Sequence, residues 1–241
     1  MTTEAVLAGT CAVRAGEVTK VYGRGPSAVT ALDRVSLGVT AGAMTVVMGP
    51  PGSGKSTLLQ CLAGLEDVTA GEVFLGDLGL HTASEGRLSM VRRDAVGFVF
   101  DGFNLLPALT VAENILAPSR LAGMRTDPQW VQAVVDILDL AGRLEERPAN
   151  LTGGEQQRVA IARALITRPQ VLFADDPSGS LDYSGGEEVL ATLRSAVDDL
   201  GQTVVLATRD PRALSYGDQV VLLAGGRIAD QISPGASARR R

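Results

Sequence analysis

An α/β domain built on a mainly parallel sheet follows from three features of the 241-residue sequence. Unbroken apolar runs at 44–48, 95–100, 171–174 and 203–208 have strand length and the continuous hydrophobicity of strands covered on both faces. Helical patterns alternate with them, as at Val189, Leu190, Leu193, Val197 and Leu200, where apolar residues recur every three or four positions. Residues 101–152 carry helical spacing alone, so helices interrupt the alternation there.

The elements follow in order. Residues 10–40 alternate apolar and polar positions between turn residues, as antiparallel strands do, with candidates at 12–15, 18–22 and 31–39. Residues 40–43 turn the chain into the strand at 44–48, and a helix is expected after residue 57. A turn at 65–71 leads to a short strand at 72–76. Residues 77–93 are mixed and polar; the lone histidine, His81, is expected to be solvated there. Trp130, Val134, Ile137, Leu138 and Ala141 mark a helix face, and a second helix starts at Gly153-Gly154 with Val159, Ile161, Ala162 and Leu165 on its apolar side. Residues 219–229 read as a closing hairpin. The chain is therefore one domain, 1–241, with a core at about 10–100 and 153–230, a helical subdomain at about 101–152 and a frayed tail at 233–241.

Composition narrows the function. Apolar residues make up 45% and charged residues 20%, enough for a large buried core. Net charge is −5, which disfavours a nucleic-acid binder; the one basic cluster, Arg239-Arg240-Arg241, reads as a solvated tail. Cys11 and Cys61 lack a zinc or disulfide spacing, and Cys61 reads as a small core residue. No apolar run reaches the length of a membrane span, and Met1-Thr2-Thr3-Glu4 lacks a basic leader, so a cytoplasmic protein is expected.

Two motifs carry chemistry. Gly49-Pro50-Pro51-Gly52-Ser53-Gly54-Lys55-Ser56-Thr57 lies between a strand and a helix, where G-x-x-x-x-G-K-[ST] reads as a phosphate-binding P-loop. Glycines let backbone N–H groups curl round a polyphosphate, and the helix N-terminus adds partial positive charge. Lys55 is placed to reach the β- and γ-phosphates and Ser56 to face Mg²⁺. The second motif is the run ending in Asp175 and Asp176: a carboxylate at the end of a buried strand beside a P-loop holds Mg²⁺, and Asp175 is the first acid after the apolar run.

A third segment, Leu151-Thr152-Gly153-Gly154-Glu155-Gln156-Gln157-Arg158, resembles the L-S-G-G-Q signature of the ATP-binding subunits of ABC transporters. The resemblance spans nearly the whole chain with the motifs in the family's order. It is strongest to the branch of lipoprotein-release and macrolide-export ATPases, through residues 99–107 and 154–165. It implies a P-loop NTPase fold: a RecA-like core, an N-terminal antiparallel β subdomain and an inserted helical subdomain. It further implies that Tyr22 stacks on adenine, that Thr152, Gly153 and Gly154 contact the γ-phosphate of ATP held by a second protomer, and that Asp182 lies in the loop that communicates across the dimer. ATP and Mg²⁺, a homodimer or heterodimer, and a separate integral-membrane permease follow as partners. So does a position on the inner face of the cell membrane, with the stretch 103–114 receiving the permease.

Three catalytic positions depart from the family pattern. Asp101 stands where a Gln is usual, Asp176 where a Glu follows the metal-binding Asp, and Arg209 where a His follows Thr208. The missing methylene withdraws the Asp176 carboxylate by about 1–1.5 Å, and a misplacement near 1 Å costs about 10²-fold in rate. Arg209 cannot act as a base but is a strong phosphate and carboxylate partner. Asp101 adds an anion that can ligate Mg²⁺ yet repels a triphosphate. One expectation links two of them: the new charge at Asp101 is offset by the one at Arg209. The reading is an ATP-binding subunit with slow or partner-dependent hydrolysis, its catalytic set Asp176, Arg209, Asp101 and Lys55. The alternative is a degenerate regulatory module paired with an active subunit. The absence of an Asn-Lys-x-Asp motif and of long insertions sets aside GTPases and DNA- or ribosome-associated relatives.

Overall fold

The computed structural model describes residues 11–232. A six-stranded sheet forms the centre, with strand order β10-β9-β3-β8-β7-β6. Its members are β3 (Met44–Met48), β6 (Val96–Val99), β7 (Val171–Asp175), β8 (Thr203–Thr208), β9 (Gln219–Ala224) and β10 (Arg227–Ile232). All neighbours are parallel except the β9–β10 hairpin. A separate antiparallel sheet of β1 (Cys11–Tyr22), β2 (Val29–Thr40), β4 (Ala70–Leu75) and β5 (Leu78–Gly79) has the order β2-β1-β4-β5.

The unbroken hydrophobicity of the central strands has a direct cause: successive residues enter different cores. Val46, Leu172, Val204 and Leu206 join one cluster, with α5 (Gly153–Leu165) and α6 (Tyr183–Leu200) supplying Ile161, Leu165, Leu190 and Leu193. Val47, Phe173, Val205 and Ala207 point the other way. There α1 (Lys55–Leu62) buries Leu58, Leu59 and Leu62 between the two sheets, against Val13, Val18 and Leu32. Burying one such side chain contributes about 1.5–3 kcal/mol, so α1 is fixed from both sides, and with it the loop before it.

Between β6 and α5 the described chain holds no strand. It contains α3 (Val111–Leu121), with a Thr110–Glu113 capping box, and α4 (Pro128–Ile137), capped by Asp127 and started by Pro128. The buried Asn114 amide pins the preceding loop: Oδ1 accepts from the Leu106 N–H, and Nδ2 donates to the carbonyls of Leu106, Leu109 and Thr110.

Several expectations change. The candidates at 12–15 and 18–22 are one strand, β1, with a register shift between Ala15 and Val18 and a left-handed Glu17 (φ 48°). The polar stretch 77–93 contains α2 (Glu85–Asp94), which buries only Leu88 and Val91 and so shows a weak apolar stripe. His81 is exposed, as expected, but its Nδ1 lies 3.2 Å from the Val73 carbonyl and its ring meets the Phe74 ring edge-on. Cys61 is buried. Phe100 falls outside β6 and is 42% exposed. The tail from Ser233 lies outside the described residues.

Candidate nucleotide site

The parallel order places the C-terminal ends of β3, β8 and β7 side by side, with Met48 opposite Thr208 and Ala207 opposite Asp175. Ligands of open α/β sheets bind at such ends. The loop 49–54 leaves β3 there. Gly49 must be glycine: a Cβ would run into the Leu223 carbonyl and lie 2.7 Å from Ser53 Oγ. Gly54, at φ 100°, would drive a Cβ into the carbonyl of Ala31 in β2. Gly226 of the β9–β10 turn closes the third side, its N–H donating to the Ser53 carbonyl over 3.0 Å.

Lys55 folds back over this loop, its Nζ donating to the carbonyls of Gly49 (2.8 Å) and Pro50 (2.9 Å). Burial lowers its pKa; the charges of Asp176 and Asp175 oppose that shift and the charge of Arg209 adds to it. Ser56 Oγ donates to Asp175 Oδ1 at 2.9 Å. Burial raises the Asp175 carboxyl above its ordinary range, with Asp176 and Asp101 adding to the shift and the Ser56 hydrogen bond and Lys55 opposing it. Lys55, Asp175, Asp176 and Arg209 therefore share one electrostatic field.

Asp176 lies just past β7 in a left-handed conformation, φ 44°. Its N–H donates to the Ala207 carbonyl, and its Oδ1 accepts from Thr208 Oγ1 at 2.9 Å. Its Oδ2 is 3.6 Å from Arg209 Nε. Arg209 is thus joined to Asp176, and among the described residues no ion pair joins it to Asp101. The charge of Asp101 acts on Asp175, while the partner of Arg209 is set by the adjacency of β7 and β8. Asp101 itself is exposed on the turn after β6.

Tyr22 ends β1, 38% exposed, and pairs with Val29, two residues before the Ala31 carbonyl that abuts the P-loop. Lys20 Nζ stands 5.0 Å from the Tyr22 ring centroid, anchored by Glu66 Oε1 (2.5 Å) and the Asp67 carbonyl (2.6 Å). Thr152 caps α5 through a capping box with Glu155. The Thr152 backbone N–H is the leading cause that holds the Glu155 carboxyl below its usual range. A Cβ on Gly153 would come within 2.9 Å of Leu181, whereas one on Gly154 meets nothing closer than 3.8 Å. Among the described residues no hydrogen bond joins Thr152, Gly153 or Gly154 to the P-loop. Asp182 caps α6 by accepting from the Gly185 N–H at 2.8 Å.

The ABC transporter family model matches residues 32–179. The ABC transporter ATP-binding protein MJ0796 of Methanocaldococcus jannaschii is 37% identical over 90% of this chain and 94% of its own length. The chain belongs to the ABC transporter family. A lipoprotein-releasing system ATP-binding protein, LolD 1 of Rhodospirillum rubrum, is 39% identical, over 90% of this chain and 97% of the relative. A dimeric, post-hydrolysis structure of MJ0796 bound to ADP and Pi superposes with a TM-score of 0.81 at 33% identity, covering 92% of this chain and 98% of that one. The chain is therefore an ABC ATP-binding domain, with an ATPase fold. Among the described residues no helix is long and apolar enough to cross a membrane.

The residues present fit ATP with Mg²⁺. Gly49 and Gly54 let the loop lie directly against the Leu223 and Ala31 carbonyls, which fixes its path round the strand end, and the Ser56–Asp175 contact is a hydroxyl–carboxylate pair of the kind that ligates a hard cation. Three residues beside this site are given no role by the sequence: Glu155, Tyr183 and Arg212. Tyr183 is 77% exposed beneath the Arg212 guanidinium (4.2 Å), and both line a cleft with Asp176, Gly179 and Arg209. The capping-box spacing of Thr152 and Glu155 was the one available signal among these.

Proposed function

We propose that this chain binds Mg²⁺–ATP between its own P-loop and the signature turn of a second protomer, hydrolyses it slowly, and transmits that cycle to a separate membrane permease. The observation that carries the reading is the meeting of Lys55, Ser56 and Asp175 at adjoining strand ends. Lys55 exchanges its loop carbonyls for the β- and γ-phosphates, backbone N–H groups of 49–57 bind phosphate oxygens, and Tyr22 offers a ring face to adenine. Ser56, Asp175 and Asp101 would hold Mg²⁺, which when bound would neutralise phosphate charge. Thr152, Gly153 and Gly154 act on the ATP of the other protomer through the N-terminus of α5.

In hydrolysis, water attacks the γ-phosphorus, the bond to the β–γ bridging oxygen breaks, and ADP leaves with that electron pair. Asp176 receives the water's proton, and Arg209 stabilises the phosphate oxygens. The short Asp176 side chain, tied to Thr208, is the reason to expect slow turnover. The surface around 103–114, held by Asn114, is the face offered to the permease.

Purified full-length chain, alone and with a permease, tests this by calorimetric ATP binding and steady-state phosphate release. ATP binding with turnover well below about 1 s⁻¹ is expected, and Asp176→Asn should lower turnover by about 10²-fold or more while ATP still binds. Turnover above about 1 s⁻¹ would rule out the slow-hydrolysis reading, and absence of ATP binding would rule out the whole.

A further inference from the structure

Asp176 is held from several sides at once. Its left-handed backbone is locked by the hydrogen bond to the Ala207 carbonyl. Its Oδ1 is taken by Thr208, and its Oδ2 lies 2.7 Å from where a Cβ on Gly179 would sit, so the carboxylate is folded over its own turn. Arg209 closes the open side at 3.6 Å. That distance is beyond hydrogen-bond range, so the tie is electrostatic rather than bidentate.

Arg209 differs from its partner in freedom. Its side chain is 62% exposed against 27% for Asp176, and Asp176 is its one ion pair among the described residues. Its charge also acts on the Lys55 ammonium, and it lines an open cleft together with Asp176 and Gly179. A planar guanidinium pairs more strongly with a phosphate it can meet through two parallel N–H groups than with one carboxylate oxygen held off at that range.

We propose that Arg209 is a positioning residue acting as a phosphate-released latch on Asp176. Without a γ-phosphate it draws the carboxylate back over the 176–179 turn. With a γ-phosphate beside Lys55 the guanidinium moves to the phosphate, and Oδ2 is freed to face the attacking water. The latch rests on the ATP-binding reading above, and it makes the short acid and the long cation a matched pair rather than two separate losses.

Nucleotide affinity measures it without turnover. Calorimetric Kd values for Mg²⁺ with AMP-PNP, which carries the terminal phosphate, and for Mg²⁺ with ADP, which lacks it, are compared across the full-length chain, Asp176→Asn, Arg209→Gln and the double variant. Asn tolerates φ above zero and keeps an acceptor for Thr208, so the turn is retained. Removing the Asp176 charge relieves repulsion of the triphosphate whether or not Arg209 is present. The latch adds a gain that requires Arg209: the tightening of AMP-PNP by Asp176→Asn should be about 2–5-fold larger with Arg209 than with Gln at that position, with no such excess for ADP. Arg209→Lys, which keeps the charge but not the fork, should retain part of the excess and provides a second cycle if the Gln variant does not fold. Equal factors in both backgrounds overturn the latch, as does an equal excess with ADP. Failure of the unmodified chain to bind either nucleotide overturns the ATP-binding reading, and the latch with it.

Discussion

Ser56 Oγ donates to Asp175 Oδ1 over 2.9 Å, tying the first turn of α1 to the end of β7 across 119 residues of sequence. The acceptor is crowded by like charge, since Asp176 and Asp101 both act on it. Replacing Asp175 with Asn keeps an oxygen for Ser56 and removes one of three neighbouring charges. The nucleotide-free variant should melt about 1–3 °C higher, and the Mg²⁺ dependence of its ATP affinity should weaken. Calorimetric melting, and ATP titrations with and without Mg²⁺, check both halves. A lower melting temperature would show that Asp175 is a structural acceptor first.

How much of this was legible in the sequence depended on whether a residue's neighbours follow from local order. Gly49, Lys55 and Ser56 belong to one strand–loop–helix unit, so spacing alone announced them. Asp175 was readable because an acid ending an apolar run lies at a strand end in any parallel sheet. The Asp176–Arg209 pair was not, because it needs β7 beside β8, a fact of sheet order that neither segment encodes. β1 was split at residues 16–17 because a bulge breaks the period-two pattern while the ladder continues past it. α2 was missed because Ser84 caps a helix whose buried stripe is two residues wide.

The two glycines of the loop should respond differently to alanine. At Gly49 a Cβ meets the Leu223 carbonyl, which belongs to a central strand and cannot retreat. Gly49→Ala is expected to cost about 1–3 kcal/mol in denaturant unfolding and to abolish ATP binding. At Gly52 a Cβ meets nothing within 4 Å, and only φ 76° opposes the change. Gly52→Ala should cost about 1 kcal/mol and leave measurable binding. Equal losses at both positions would contradict the geometry.

The alkaline limb of stability should carry the signature of Cys61. Burial pushes its thiol up to about 12, while an unfolded thiol ionises near 9. The folded state therefore holds its proton where the unfolded state has released it. The contribution is full below about 9 and is lost as pH rises toward about 12. Cys61→Ala should flatten the fall of unfolding free energy across that window. In native protein at pH 8 a thiol reagent should modify the half-buried Cys11 quickly and Cys61 only on unfolding.

The signature turn offers a test of assembly that leaves the fold alone. Gly153 is hemmed in by Leu181 and Phe103, so a side chain there disturbs the packing of those two residues on the start of α5 before it touches any nucleotide. Gly154 has room, its nearest neighbours being Glu188 and Gly185 at 3.8 Å. Gly154→Glu places a carboxylate at the positive N-terminus of α5, where the γ-phosphate of a second protomer's ATP is proposed to bind. In an Asp176→Asn background, ATP should drive the parent protein to a dimer in light scattering and leave the Gly154→Glu variant monomeric. Melting temperature and monomer ATP affinity should change little, since Gly154 does not contact the protomer's own P-loop. A variant that still dimerises with ATP would remove the signature turn from the shared site, whereas one that also loses its own ATP would place the turn beside the wrong P-loop.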